Sequence, residues 1–234
     1  MLEKIFLLLT KVLILKIPKP TFVYQLISYL LVFPLYRLLF HGWTKGNPNV
    51  PREGALIVVS NHGSDLDPLL LGHALGRPIA FMAKAELFCI PLIGSLISAC
   101  AAYPVRRGSS DREAIRTARA RLNEGWAIGI FPDGTRQING RIDKPQLGAA
   151  LLAFYTGAPL LPVAIINSHR AMGRNQRLPR FIPIQVCIGN PIAPPTSKDR
   201  KHLELTTQSC KDQINLLLDQ GITTSPSLIT SSIL

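Results

Sequence analysis

ALIVVSNHGSDLDPLLLG, residues 55–72, contains a strand, a loop and the start of a helix in one stretch. Its first six residues, ALIVVS, are a short, β-branched, apolar run, which predicts a strand buried on both faces. The run stops at Asn61-His62. Asp67-Pro68 follows, an acid in the style of a helix N-cap with proline at the first helical position, and the apolar PLLLGHAL comes next. A buried strand running into a helix is half of a βαβ unit, and the rest of the chain repeats the pattern. Strands are expected at 78–83 (PIAFMA), 102–105 (AYPV), 127–131 (AIGIF), 160–166 (LLPVAII) and 182–189 (IPIQVCIG). Helices are expected at 91–102, 110–125, 146–157 and 201–221, two of them closing on Gly125 and Gly157. The alternation predicts an α/β fold whose mostly parallel sheet is covered by helices on both faces.

At 234 residues the chain can bury a full core without disulfide or metal staples. Hydrophobic residues make up 47% and charged residues only 17%, yet Lys and Arg outnumber Asp and Glu by 26 to 14. Mean hydropathy is +0.23 and the sequence pI is about 10.0. A basic but apolar chain points to anionic lipid headgroups or a phosphorylated substrate. Nucleic-acid binders are basic and hydrophilic, so no nucleic-acid partner is expected. The four cysteines, at 89, 100, 187 and 210, form no CxxC pair and read as buried, reduced thiols of an intracellular protein.

The first forty residues differ in texture. IFLLLTKVLIL (5–15) is too short to span a bilayer, KIPKP breaks it, and TFVYQLISYLLVFPLYRLLF (21–40) follows, interrupted by Pro34 and Arg37. Two apolar helices with lysines at the break read as an interfacial hairpin, the second long enough to span if tilted. No A-x-A-like site follows, which disfavours a signal peptide. The expected division is a membrane-associating hairpin (1–42), an α/β domain (43–221) and a Ser/Thr-rich tail (222–234). Deleting residues 1–40 is expected to release the chain from membranes.

Ligands of open α/β sheets bind beyond the carboxyl ends of the strands. The residues there are Asn61 to Asp67, then Lys84-Ala85-Glu86, Arg106-Arg107-Gly108, Pro132 to Arg136, and Asn167-Ser168-His169. On one helix a spacing of five puts two side chains about 140° apart, so His62 and Asp67 meet only if the chain turns between them, as Gly63 permits. An acid in reach of an imidazole fixes its tautomer, which makes a general base. Read alone, the same residues suit a capped helix beside an ordinary loop histidine. A metal site is not expected, since H-x4-D lacks a second histidine. Ser64 has no G-x-S-x-G elbow, which disfavours a nucleophile and an α/β hydrolase. In FPDGTR (131–136), the turn at Gly134 exposes backbone N–H groups, which together with the fork of Arg136 suit a phosphate. Arg106 and Arg107 are a second cationic contact or a solvated face.

Together these stretches resemble the 1-acylglycerol-3-phosphate acyltransferase family. Its N-H-x4-D motif is matched by Asn61, His62 and Asp67, and its arginine-bearing motif by YPVRRG (103–108). F-P-E-G-T-R is matched by 131–136 with Asp133 in place of glutamate, and the proline within an apolar strand by Pro162. AKAEL with Lys84, and Lys144 with Gly148, are also similar to the family. The likeness covers about residues 50–195. It implies the glycerolipid acyltransferase fold and transfer of an acyl group from acyl-CoA or acyl-acyl carrier protein to the free hydroxyl of lysophosphatidate at a membrane phospholipid surface, giving phosphatidic acid. His62 is then the base and Asp67 its orienting partner. Arg107, Arg106, Gly134, Thr135 and Arg136 hold the phosphate. No bound cofactor, metal or acyl-enzyme is implied, and the membrane's cytoplasmic face is the expected location. Another lysophospholipid or glycerol 3-phosphate as acceptor, or a non-catalytic lipid-surface module, are the alternatives. The shorter Asp133 and the basic Arg106 depart from the family pattern.

Overall fold

The structure, a computed structural model, describes residues 22–105, 111–174, 176 and 178–223. Seven strands form one sheet in the order β1-β7-β6-β2-β5-β3-β4. They are β1 (Trp43–Lys45), β2 (Leu56–Ser60), β3 (Ile79–Lys84), β4 (Tyr103–Val105), β5 (Ala127–Ile130), β6 (Leu160–Ile166) and β7 (Gln185–Ile188). Every neighbouring pair is parallel except β6 with β7. The α/β expectation therefore holds, with β7 and its partner β1 running against the other five strands. β1 escapes sequence reading because WTK has neither length nor apolar pattern, and its pairing with β7 makes it a strand.

β2 is central, buried at every position, and its side chains alternate between two cores. Ile57 and Val59 face α4 (Asp111–Asn123), α5 (Gly148–Thr156) and α7 (Arg200–Thr223), through Leu122, Leu152 and Ile214 among others. Leu56 and Val58 face α2 (Asp67–Leu75) and the N-terminal helix, through Leu70, Leu71, Tyr36 and Phe40. α3 (Ile93–Ala99) and α6 (Ser168–Ala171) are short. Pro162 sits in the sheet interior where a proline has no N–H for the ladder. The β6–β7 pairing breaks beside it: Gly189 N donates to the Pro162 carbonyl at 2.9 Å, and one extra residue intervenes before Leu160 pairs with Ile192.

Of the expected hairpin, the first run lies outside the described residues. The second is α1 (Phe22–Ile27), continued by π-helical turns at Ser28–Val32 and Leu35–Leu39 around Pro34, which has no N–H to donate. Tyr24, Val32, Tyr36 and Phe40 are buried, so this segment belongs to the core of the α/β unit and is no separate arm. A boundary at residue 42 does not coincide with a packing boundary. The opposite face exposes Leu26, Tyr29, Leu30, Leu31 and Leu38. Among the described residues no helix is long and apolar enough to cross a membrane. Residues 224–234 of the expected tail are outside the described set. All four cysteines are free; Cys187 and Cys210 are buried, and burial pushes the Cys210 thiol up to about 12, whereas Cys89 is exposed, contrary to expectation.

Candidate active site

β2 and β5 are adjacent and parallel, so the chain leaves both at the same sheet edge. This sets His62 against Phe131, rings stacked 4.0 Å apart at 12°. Phe81 of β3 stacks on Phe131 in turn, at 5.5 Å. His62 Nδ1 lies 2.9 Å from Asp67 Oδ2. The same oxygen accepts from Gly63 N at 2.7 Å and Ser64 N at 2.8 Å. Asp67 is fully buried. The N-cap expectation is thus corrected: helix α2 starts at Asp67, Leu66 stands at the cap without a side-chain bond, and the carboxylate turns back onto the loop it closes. An ionised carboxylate only accepts, so Nδ1 carries the hydrogen and Nε2 keeps its lone pair.

Asn61 stitches this loop to its neighbours. Its amide donates to the carbonyls of Gly140 (2.7 Å) and Ile165 (2.8 Å), and its oxygen accepts from Ile165 N at 2.8 Å. Behind the loop, His169 packs so tightly on Gly63 and Gly140 that neither has room for a Cβ; Gly140 also holds φ +67°, which favours glycine. Burial and Arg170 lower the His169 pKa, with Asp67 acting the other way. Asp67 Oδ1 and His169 Nδ1 are both buried without a partner among the described residues.

His62 lines a cavity of about 860 Å³, together with Lys84, Phe131, Gly134, Thr135 and Arg136. Tyr24, Ile27 and Val32 of the N-terminal helix form one wall, and Leu87, Leu96 and Val105 the other. The volume suits a sizeable ligand and most of the lining is apolar. Gly134 has φ +66° and its own N–H closes the turn onto Phe131 O at 3.0 Å, so that amide is not free for an anion. The Thr135 and Arg136 amides have no partner among the described residues. Arg136 Nη1 is held by Asp65 Oδ2 at 2.5 Å.

Other expected residues fall differently. Asp133 points away from the cavity: its carboxylate accepts from Asp143 N (3.2 Å) and Lys144 N (3.1 Å), fastening the 131–144 loop. Pro162 and Asn61 shape the backbone and do not line the cavity. Arg106 and Arg107 lie outside the described residues, though β4 brings the chain to the cavity wall at Val105. Sequence reasoning missed Asp65 as the partner of Arg136 and Phe131 as the platform under His62. Both stand inside the motifs, but their roles need the two loops side by side.

A histidine held by a buried carboxylate, two amides without partners among the described residues, and cations thus meet at an apolar cavity on one sheet edge. The model of the family described as Acyltransferase matches residues 44–166, and the chain belongs to that family. The crystal structure of the 1-acyl-sn-glycerophosphate (LPA) acyltransferase PlsC from Thermotoga maritima is similar, with TM-score 0.70 and 26% identity over 85% of this chain and 80% of that one. A 1-acyl-sn-glycerol-3-phosphate acyltransferase of Borreliella burgdorferi is 30% identical over 132 residues, covering 56% of this chain and 53% of the relative. One of Bacillus subtilis is 36% identical over 118 residues, covering 50% and 58%. The chain thus spans little more than half the length of these curated relatives.

Proposed function

We propose that the chain transfers a fatty acyl group from an acyl thioester to the free hydroxyl of 1-acyl-sn-glycerol 3-phosphate, giving phosphatidic acid for phospholipid biosynthesis. The observation that carries this reading is the bond from His62 Nδ1 to buried Asp67, which leaves Nε2 as a base at the cavity wall. Nε2 takes the proton from the acceptor hydroxyl as its oxygen attacks the thioester carbonyl. The C–S bond then breaks, and the proton passes to the departing sulfur. Coenzyme A or acyl carrier protein leaves as the thiol, and the histidine is restored. Asp67 stays ionised and stabilises the imidazolium in between. Donor and acceptor are co-substrates, and the reading assigns no resident cofactor or metal.

The acceptor's phosphate goes to Arg136 and the Thr135 amide, with Gly134 shaping the turn, Lys84 nearby, and Arg107 and Arg106 as further contacts. Residues 1–42 are assigned to membrane association on the cytoplasmic face, with Tyr24, Val32, Tyr36 and Phe40 also packed into the acyltransferase unit that continues to 221, and 222–234 to a tail. The names of the relatives and the apolar walls of the cavity support a lipid acceptor. An acyl-transfer assay over lysophosphatidate, other lysophospholipids and glycerol 3-phosphate tests the reading. His62→Ala is expected to lose about 10²–10⁴-fold in rate. Equal rates in the two chains would remove the base assignment. Preference for another acceptor would reassign the substrate, and turnover of none would leave a lipid-surface binding module.

A further inference from the structure

Two of the segments that line the cavity, the α1 lip (24–32) and a second one at 87–97, also carry apolar side chains exposed to solvent. On the α1 lip, Leu26, Tyr29, Leu30 and Leu31 face solvent. On the other, Ile90, Leu92, Ile93 and Leu96 do so, Leu92 at 85% exposure. Leu96 both lines the cavity and faces outward.

Leu92 is held there by an uncommon backbone. Ile93 N donates to Pro91 O at 2.8 Å, closing a γ-turn with Leu92 at φ +67° and ψ −49°. A bulky residue at positive φ is strained, and such strain concentrates at functional sites. Glycine would make this turn without strain. Among the described residues nothing covers the Leu92 side chain. A leucine held in this turn therefore calls for a contact beyond them.

The surroundings indicate which contact. From Leu87 to Val105 no residue carries a charge, nor does any from Phe22 to Tyr36. Behind this uncharged rim the cavity wall holds three cations, Lys84, Arg136 and Arg174, against one acid, Asp65. An apolar edge backed by cations complements hydrocarbon covered by anionic headgroups.

We propose that the Ile90–Ile93 turn is a membrane-inserting wedge, a second anchor independent of residues 1–42, which docks the cavity mouth on the lipid leaflet. The proposal rests on the lipid-acceptor reading only for its purpose, since the wedge itself is read by binding. The test is flotation of the full chain with vesicles of phosphatidylcholine and phosphatidylglycerol. Leu92→Gly and Leu92→Asp are expected to weaken vesicle partitioning about tenfold, the scale of losing one buried leucine. Leu92→Gly, freed of the strained φ, is expected to unfold at the same temperature or higher, so that weaker binding cannot be misfolding. Leu205→Asp, exposed on α7, is expected to partition like the native chain. Unchanged partitioning in both Leu92 variants overturns the proposal. A loss of self-association in sedimentation without loss of vesicle binding also overturns it, assigning the face to a second copy. In the Leu92 variants, turnover of short-chain lysophosphatidate dispersed as monomers is expected to stay unchanged, and turnover of vesicle-embedded acceptor to fall. A native chain inactive on both, with partitioning still sensitive to Leu92, would reject the acyl-transfer reading and keep the wedge.

Discussion

Asp67 Oδ2 accepts from His62 Nδ1 and from the amides of Gly63 and Ser64, so one oxygen sets both the loop and the imidazole. Asparagine in its place keeps the size but presents an NH₂ that favours the opposite tautomer. Asp67→Asn is therefore expected to lower kcat about 10²–10⁴-fold while the folded state persists, as kinetics alongside circular dichroism would register. A rate within a few-fold of the native chain would mean that the pair is structural. The spacing of five residues already implied a turn, and Gly63 where it was needed. The sequence did not disclose which way the carboxylate looks. An Asp-Pro at a helix start suits a cap, and the alternative depends on the Gly63 and Ser64 amides facing inward, which Asn61 arranges through residues about eighty and a hundred positions away. His169 is opaque for the same reason: its place behind the loop is set by β6.

At the level of elements, the π-helical continuation of α1 docks on α2 through a histidine. His73 Nδ1 lies 2.9 Å from Ser28 Oγ, and the rings of Tyr29, Phe33 and Tyr36 surround it at 5.6–6.3 Å. Burial lowers the His73 pKa below its ordinary 6.5. The unfolded chain then binds a proton at a pH where the folded one does not, so stability rises with pH between the depressed value and 6.5 and is lost as pH falls through that window. Urea midpoints taken at about pH 7.5 and about pH 5.5 are expected to drop on acidification, and to drop less in His73→Gln. Equal drops in both chains would place the sensitivity elsewhere, His169 being lowered in the same direction. The helices and buried strands were legible because their apolar periods are long. Three residues of β1 carry no period, and antiparallel β7 reads like any buried strand, since orientation leaves no mark on an apolar run.

For the molecule as a whole, the sequence suggests a membrane segment followed by a catalytic domain, whereas packing merges the two. Tyr36 and Phe40 are only 2% and 0% exposed, beside Leu56 and Val186, so a cut after residue 40 removes core aromatics. That truncation is expected to cost about 3–5 kcal/mol for each of the two rings and to yield unfolded or aggregated chain. A cut after residue 21 leaves them in place. Calorimetry of both truncations, with vesicle binding of the shorter cut, separates anchoring from folding; equal stability of the two would restore a boundary near 42. The parallel topology was readable as a class because alternating strands and helices admit few other arrangements. The shared wall between α1 and the cavity was not, because apolar residues facing a core and apolar residues facing outward have the same composition.

The ion pair between Arg136 and Asp65 joins loops that leave two different strands. If Arg136 takes the acceptor's phosphate as proposed, the pair is a resident competitor, one carboxylate occupying the fork that the phosphate would use. A phosphate carrying nearly two charges displaces it readily, and the largely exposed Asp65 then returns to water at small cost. A neutral acceptor has nothing to exchange and leaves the clasp shut. On that reading, selectivity against uncharged lipids would come from an element that excludes them as well as from one that attracts the anion. Asp65→Ala is expected to lower KM for lysophosphatidate by about two- to fivefold, the scale of an exposed pair, and to narrow its advantage over uncharged acceptors. An unchanged ratio between the two acceptor classes would leave Asp65 as a mere surface partner of the arginine.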